Sequence, residues 1–414
     1  MRVALITEHA SPLAAPGDAY PAGPGAGLGA LATALAGLGV QVTMYAGVPA
    51  PAGRSAAARP RRSTLCPGAV LEPLSIQAAE PASSGTGDRD VTALRIRELA
   101  GQLASRWQDS PPDLVHAHSW AAGLAAQAGG RELNLPQVQT FYSLAVQDGP
   151  RAGARRARLE LALARSARAV LVGASADGAA LARLGVPQAS IRVVPPGVDT
   201  GLFQPDGPVE SHGDRPRLLM VVTSLAGDRG PAASALHALA AVPGAELFIA
   251  GGPPAAELAG DPGQQALSQL AGQLGVADRV TCTGQLTRSA MPALMRSADV
   301  LLNLSPGGTL ARVTIEAMAC GVPVIAIGTS AHRDAVLDGT TGYLMTSTQP
   351  APMARRIRQL LASPLREGMA IAAASRARDR YSWERIGAET LAVYETAVPG
   401  TAQAAGEPAD VTSA

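Results

Sequence analysis

Apolar residues along this chain follow two alternating patterns. Short unbroken runs rich in Val, Ile and Leu are separated by stretches whose apolar positions recur every three to four residues. The first pattern predicts strands buried on both faces, and the second predicts helices packed over them. Their alternation predicts parallel sheets in an α/β fold. In the first half, strands are expected near 2–7, 41–46, 113–117, 137–141, 169–173 and 191–194, with helices near 27–38, 91–107, 119–128, 155–167 and 176–184. Segments 46–67 and 78–90 are rich in Ala, Pro, Gly and Ser and poor in large apolar residues, so they read as loops or disorder.

The pattern then breaks and restarts. Segment 205–216 is mostly Asp, Gly, Pro and other polar residues, which predicts an interdomain linker. Strands follow near 217–222, 246–250, 278–282, 299–304 and 323–327, with helices near 231–241, 263–274, 289–296, 310–320, 351–363 and 366–380. Two successive α/β units of similar size result, 1–200 and 205–380, meeting at about 195–216. Ser382 is placed to cap a last helix over 381–397, and 398–414 reads as a disordered tail.

Composition fits this division. A chain of 414 residues suits two domains of about 150–200 residues each. The formal net charge of +1 gives no global electrostatic case for nucleic acid or an anionic membrane. The chain has no lysine, and all 34 basic side chains are arginine, so chemistry that usually needs Lys must use Arg. Cys66, Cys282 and Cys320 are odd in number, far apart and lack metal-ligand spacing. That favours a reduced, cytoplasmic setting over a disulfide framework, and no metal site is expected. Residues 1–7 read as a first strand and not as a signal peptide. No apolar run reaches the roughly 18–20 residues of a membrane span.

Candidate chemistry gathers in the second unit. A strand ends in Ser305-Pro306-Gly307-Gly308-Thr309, and a helix follows with Leu310, Ala311, Arg312 and, about two turns in, Glu316. A Gly-rich turn into a helix N-terminus presents free N–H groups and the positive end of the helix dipole, which suits a diphosphate. Glu316 could accept hydrogen bonds from sugar hydroxyls. Taken alone, the segment reads equally well as a plain strand–helix turn with a solvated Glu. In the first unit, His116 and His118 share one face of a strand. His118, at the strand end, has two readings of equal weight, a sugar or acceptor contact and a structural histidine. His116, deeper in, is expected to be buried and structural. His332 reads as helix-start chemistry. Arg151, Arg155, Arg156 and Arg158 read as a solvated helix face, with an anionic acceptor site as the alternative.

Four further segments carry a resemblance. They are Val193-Val194-Pro195-Pro196-Gly197-Val198-Asp199 through Pro205, Phe248-Ile249-Ala250-Gly251-Gly252-Pro253, Arg279-Val280-Thr281-Cys282-Thr283-Gly284, and Val115-His116-Ala117-His118. With Glu316-Ala317-Met318-Ala319-Cys320-Gly321-Val322-Pro323-Val324 they make the chain similar to the retaining glycosyltransferases of family 4, from Met1 to about Tyr394. The resemblance implies the GT-B fold, two Rossmann-like domains with a cleft between them and the last helix crossing back to the first. It implies acceptor binding by the first domain, a nucleoside-diphosphate sugar on the second as donor substrate, and no other cofactor.

The resemblance also implies site residues. His118, Arg229 and Glu316 match catalytic positions. Gly23, Gly25, Ser224, Gly284, Gly307, Gly308, Thr309, Leu310, Ala311 and Arg312 match donor-binding ones. Several depart from the family pattern. Gly308 stands where a first Glu is usual, eight positions before Glu316. Ser224 stands for an Arg, Arg229 for a Lys, Leu310-Ala311 for a Phe-Gly pair, and Tyr142 where His is frequent. Pro24 removes an N–H from the first glycine loop. Arg312 reads as a solvated helix residue, with compensation for the missing Arg as the alternative. Two functions are therefore expected to compete. One is an active retaining glycosyltransferase with an unknown acceptor. The other is a weakened or inactive paralogue that acts by binding, for instance as the partner of an active transferase.

Overall fold

The computed structural model describes residues 1–8, 17–20, 27–49, 61–77, 88–146, 153–211, 213–225, 230–305 and 310–398. In its first half the strands are β1 (Arg2–Thr7), β2 (Ala19–Tyr20), β3 (Gln41–Pro49), β4 (Ser63–Cys66), β5 (Ala69–Ile76), β6 (Leu114–Ala117), β7 (Gln137–Phe141), β8 (Ala169–Val172) and β9 (Ile191–Val193). The helices between them are α1 (Leu28–Gly37), α2 (Asp88–Asp109), α3 (Trp120–Gly129), α4 (Ala154–Ser166) and α5 (Ser175–Arg183). The second half has β10 (Arg217–Val222), β11 (Glu246–Gly251), β12 (Val280–Gly284), β13 (Leu286–Thr287), β14 (Val300–Asn303), β15 (Val324–Ile327) and β16 (Gly342–Met345). Its helices are α6 (Pro231–Ala240), α7 (Pro262–Gln273), α8 (Met291–Arg296), α9 (Leu310–Ala319), α10 (Ser330–Ala335), α11 (Pro350–Leu361), α12 (Arg366–Tyr381) and α13 (Trp383–Ala397).

Two large sheets result. The first has the order β4-β5-β3-β1-β6-β7-β8-β9 and the second β12-β11-β10-β14-β15-β16. All pairings are parallel except β4 with β5. The mostly apolar runs are the central strands: every residue of β6, β8, β10 and β14 is buried. Helices cover both faces, which is why these strands show no polar alternation. In α1 the buried residues Leu28, Leu31, Ala32 and Leu35 form the expected stripe.

Segments read as loops are partly ordered. β3 runs on to Pro49, β4 and β5 add an edge hairpin, and α2 starts at Asp88. The residues of β4 are exposed or half-buried, and β5 is interrupted by Glu72 and Pro73, so neither shows an apolar run. Pairing of β5 with β3 supplies the order that local propensity lacks. The remainder of the two segments, 50–60 and 78–87, and the tail 399–414 lie outside the described residues.

Several contacts join the halves. Ser382 accepts from the Arg385 N–H and starts α13, and Ile386, Val393, Tyr394 and Ala397 of that helix enter the core with β1, β3 and α1. In the other direction, β2 pairs antiparallel with β13, and Tyr20 enters the core of the second half, 1% exposed. Val198 N–H donates to the Tyr381 carbonyl at 2.7 Å. Among the described residues, no helix is long and apolar enough to cross a membrane.

Candidate active site

The carboxyl ends of the two parallel sheets hold the chemistry-bearing side chains, where open α/β sheets ordinarily bind ligands. On the first sheet, His118 directly follows β6 and Tyr142 directly follows β7. His118 Nδ1 lies 3.0 Å from the Tyr142 hydroxyl. Its ring stacks at 4.0 Å on His116, which is held on both nitrogens, by Tyr394 of α13 at 2.6 Å and Thr140 at 2.7 Å. His116 is thus buried and hydrogen-bonded, as expected. Burial holds the His118 imidazole down at about 3. Burial, then the neighbouring His118, pushes His116 well below the ordinary histidine value. Both rings are neutral. Beside them Ser119 donates to the Glu8 carboxylate and accepts from the Ala122 N–H, capping α3.

The second sheet presents charges. Glu316 on α9 is 1% exposed. One carboxylate oxygen accepts from the Tyr20 hydroxyl. The other lies 3.4 Å from Arg288 and 3.5 Å from Arg312. Arg288 extends towards Asp199 at 3.9 Å and lies over the Phe203 ring at 5.2 Å. Burial and the Glu316 charge raise the Tyr20 phenol well above its ordinary value, so it stays a donor. Arg312 is therefore neither solvated nor remote from the site.

Beside Glu316 is a cavity of about 240 Å³, which His116, His118 and Tyr142 do not line. Gly27, Ala30 and Thr33 of the α1 start line one side, and Gly197, Asp199, Arg288, Arg312, Glu316 and Trp383 line the other. Two glycines make room for the Trp383 indole. A Cβ at Gly197 would lie 2.4 Å from that ring, and one at Gly27 would lie 2.8 Å from it. Among the described residues, no group of three or more His, Cys, Asp or Glu could hold a metal ion.

The expected residues are distributed unevenly over this geometry. Glu316 and Arg312 line the cavity, and His118, buried directly after the first sheet's β6, does not. Ser224 follows β10 and is exposed. Gly284 ends β12 with φ +71°, where a Cβ would meet Ala255 backbone at 2.9 Å, so its backbone conformation alone accounts for glycine. Gly23, Gly25, Arg229, Gly307, Gly308 and Thr309 lie outside the described residues, and Leu310 and Ala311 are described only as the start of α9. His332 sits at the start of α10, its Nδ1 2.8 Å from the Ile327 carbonyl oxygen. Arg156 pairs with Glu160 at 2.7 Å, while Arg155 and Arg158 are exposed. Tyr20, Arg288, Asp199, Trp383 and Tyr394 were not expected at the site. Asp199 belongs to the Gly197-Val198-Asp199 segment and so carried a signal. Tyr20 and Arg288 carried none, because only the β2–β13 pairing brings them to Glu316.

Comparison with known proteins agrees with this architecture. Residues 22–197 match the model described as glycosyl transferase 4-like domain, and residues 211–378 match that of glycosyl transferases group 1. The chain is 28% identical to D-inositol 3-phosphate glycosyltransferase 1 of Catenulispora acidiphila, over 96% of each chain. It is 29% identical to the D-inositol 3-phosphate glycosyltransferase of Mycobacterium tuberculosis, over 96% of this chain and 83% of that one. Sucrose-phosphate synthase of Thermosynechococcus elongatus shares the fold with a TM-score of 0.77 at 23% identity, covering 95% of this chain and 98% of that one. Anabaena HepE, crystallised with UDP and glucose, does so with a TM-score of 0.67 at 19% identity, covering 95% and 99%. With these matches along nearly its whole length and two facing parallel sheets, the chain belongs to the glycosyltransferases of the GT-B, family 4-like type.

Proposed function

We propose that this glycosyltransferase moves a sugar from a nucleoside-diphosphate sugar to a phosphorylated polyol or sugar, with retention of configuration. Residues 205–380 hold the nucleotide, and 1–200 with the helix of 381–397 take the acceptor. The observation that carries the reading is the cleft itself, with a neutral imidazole on one sheet edge and Glu316 with two arginines on the other. Retaining transfer needs a stabilised diphosphate leaving group beside a sugar of oxocarbenium character. Arg288 and Arg312 are the described cations that line the cavity, and Arg229 adds a third by sequence. Glu316 receives the ribose hydroxyls. The acceptor class follows the names of the inositol-phosphate relatives, and the HepE crystals supply UDP-glucose as the first donor to try.

A second reading is a weakened paralogue that works by binding, alone or beside an active transferase. It is favoured because Tyr20, Arg288 and Arg312 already occupy both oxygens of Glu316, and because Gly308 and Ser224 lack the family's carboxylate and cation. Calorimetric titration with UDP-, GDP- and ADP-sugars, followed by turnover assays with inositol phosphates, separates the two. Binding with turnover is expected on the first reading. Binding without turnover supports the second, and absence of binding by every nucleotide sugar overturns the first.

A further inference from the structure

The first-sheet edge fixes more than the position of His118. A neutral imidazole has one donor nitrogen and one acceptor nitrogen, and the partner of one decides the role of the other. His118 is 3% exposed. Its Nδ1 faces the Tyr142 hydroxyl at 3.0 Å. Its Nε2 is buried, with no hydrogen-bond partner among the described residues. A phenol is a good donor and a poor acceptor, so the favoured arrangement has Tyr142 donating to Nδ1. The single ring proton then sits on Nε2.

The layer behind repeats this logic. Tyr394 is fully buried and 2.6 Å from His116 Nδ1. It donates there, and His116 Nε2–H donates to Thr140 Oγ1 at 2.7 Å. Both nitrogens of His116 are thereby satisfied with that ring neutral. Its face lies 4.0 Å from His118, where two cationic rings would repel each other. Burial acts in the same direction, holding His118 at about 3. The charged groups that act on Tyr142 are Arg312 and Glu8, of opposite sign.

We infer that Tyr142 is a positioning residue, which with the His116–Tyr394 pair behind it fixes His118 as a neutral Nε2–H donor to the transferred sugar. In this arrangement His118 neither takes up a proton from the acceptor nor carries charge. A buried N–H without a partner is costly, so a ligand hydroxyl or carbonyl oxygen that reaches it gains a hydrogen bond at little ordering cost. Tyr142, at a position where the family often has His, then sets a proton and is not a lost contact. The direction towards the sugar rests on the proposed function, but the tautomer does not.

The test is long-range ¹H–¹⁵N spectroscopy of the full chain labelled at its histidine rings, six in number, with His118 assigned through His118→Gln. The expected spectrum is an Nε2–H tautomer that does not titrate between about pH 5.5 and 8. An Nδ1–H tautomer, or titration near the ordinary histidine value, overturns the inference without any variant or ligand. In Tyr142→Phe the signals should move towards a mixture of tautomers, and an unchanged tautomer removes Tyr142 from the role. Calorimetry of the same variant should show UDP-glucose bound about 3- to 10-fold more weakly, with UDP unaffected. A shifted tautomer with equal loss for UDP and UDP-glucose removes the sugar as the group that Nε2–H meets. If the tautomer is as stated and neither ligand binds the wild type, the donor reading fails and the proton assignment stands.

Discussion

The two edges of the cleft solve the burial of polar groups in opposite ways. On the first sheet, two imidazoles and two phenols are kept neutral and linked in pairs, each hydroxyl to one ring nitrogen. On the second, one carboxylate is buried with two guanidiniums and a phenol around it. A neutral pair that loses one partner leaves a buried polar group unsatisfied, at a cost of about 1–3 kcal/mol. A buried charge left without its partner keeps its full desolvation cost. The charged edge should therefore be the fragile one, and also the one suited to a diphosphate. The neutral edge suits sugar and acceptor hydroxyls, which need directed donors and no field.

The largest break of this contrast is Glu316→Ala. It removes the carboxylate shared by Arg288 and Arg312, both only about a tenth exposed, and leaves Arg288 with Asp199 at 3.9 Å. Breaking a buried ion pair by removing one partner costs about 3–5 kcal/mol. Urea unfolding should show a loss at the upper part of that range's order. Nucleotide affinity should fall about 10-fold or more in the same variant, from one or two charge-assisted hydrogen bonds. A loss below about 1 kcal/mol would mean that the arginines find other partners, and that the two edges do not differ as argued.

The next effect is on rate. Gly308 offers no carboxylate to the donor sugar and Ser224 no charge to the diphosphate. Each missing preorganised contact typically costs about 10²–10³ in rate, though contacts within one site do not simply multiply. Turnover by the wild type with common nucleotide sugars should be weak. The double substitution Gly308→Glu with Ser224→Arg should raise it by about 10²-fold. Ordinary transferase rates in the unaltered protein would show instead that Arg288 and Arg312 already supply what Ser224 lacks.

How much of this was legible in the sequence follows the same divide. The parallel sheets were legible because β8, β10 and β14 are apolar but for the terminal Arg217 and Asn303. Both His116 and His118 were visible as a pair on one strand face, since strand periodicity is local. Glu316 was visible through its motif, but its surroundings were not. Arg288 reaches it across 28 residues of sequence and Tyr20 across 296, and the two-residue strands that align them leave no periodic trace. Tyr394, 278 residues from His116, was hidden for the same reason. Edge strand β4, with exposed or half-buried residues, had no hydrophobic pattern to find.

Acid should reveal the neutral edge. His116 and His118 have folded values depressed by burial. Above the ordinary histidine value of about 6.5 neither state is protonated, and their contribution is fully present. As pH falls below that value the unfolded chain gains protons that the folded rings refuse, so stability is lost, down to about 3 for His118. Between pH 7 and 5 the loss from His118 should be roughly 1–2 kcal/mol, and His116 acts in the same direction. His118→Gln should be less steep than the wild type over that window in urea unfolding. Parallel slopes would mean that His118 protonates in the folded state.

The smallest effect is the most discriminating, because Tyr20 is the neutral hydroxyl of the charged edge. Its chain segment follows β1, yet its ring lies in the core of the second half, 6.3 Å from Phe203, and its hydroxyl holds Glu316. Tyr20→Phe keeps the ring and removes only the donor. A hydrogen bond to a charged group contributes about 1.5–3 kcal/mol, and the low end applies because Arg288 and Arg312 remain on the other oxygen. Stability should therefore fall by about 1.5 kcal/mol. Affinity for UDP should move the other way, rising several-fold, since the ribose no longer competes with a phenol for the carboxylate oxygen. Loss of both stability and affinity would show that Tyr20 builds the nucleotide site instead of occupying it. Loss of stability with unchanged affinity would place the ribose away from Glu316.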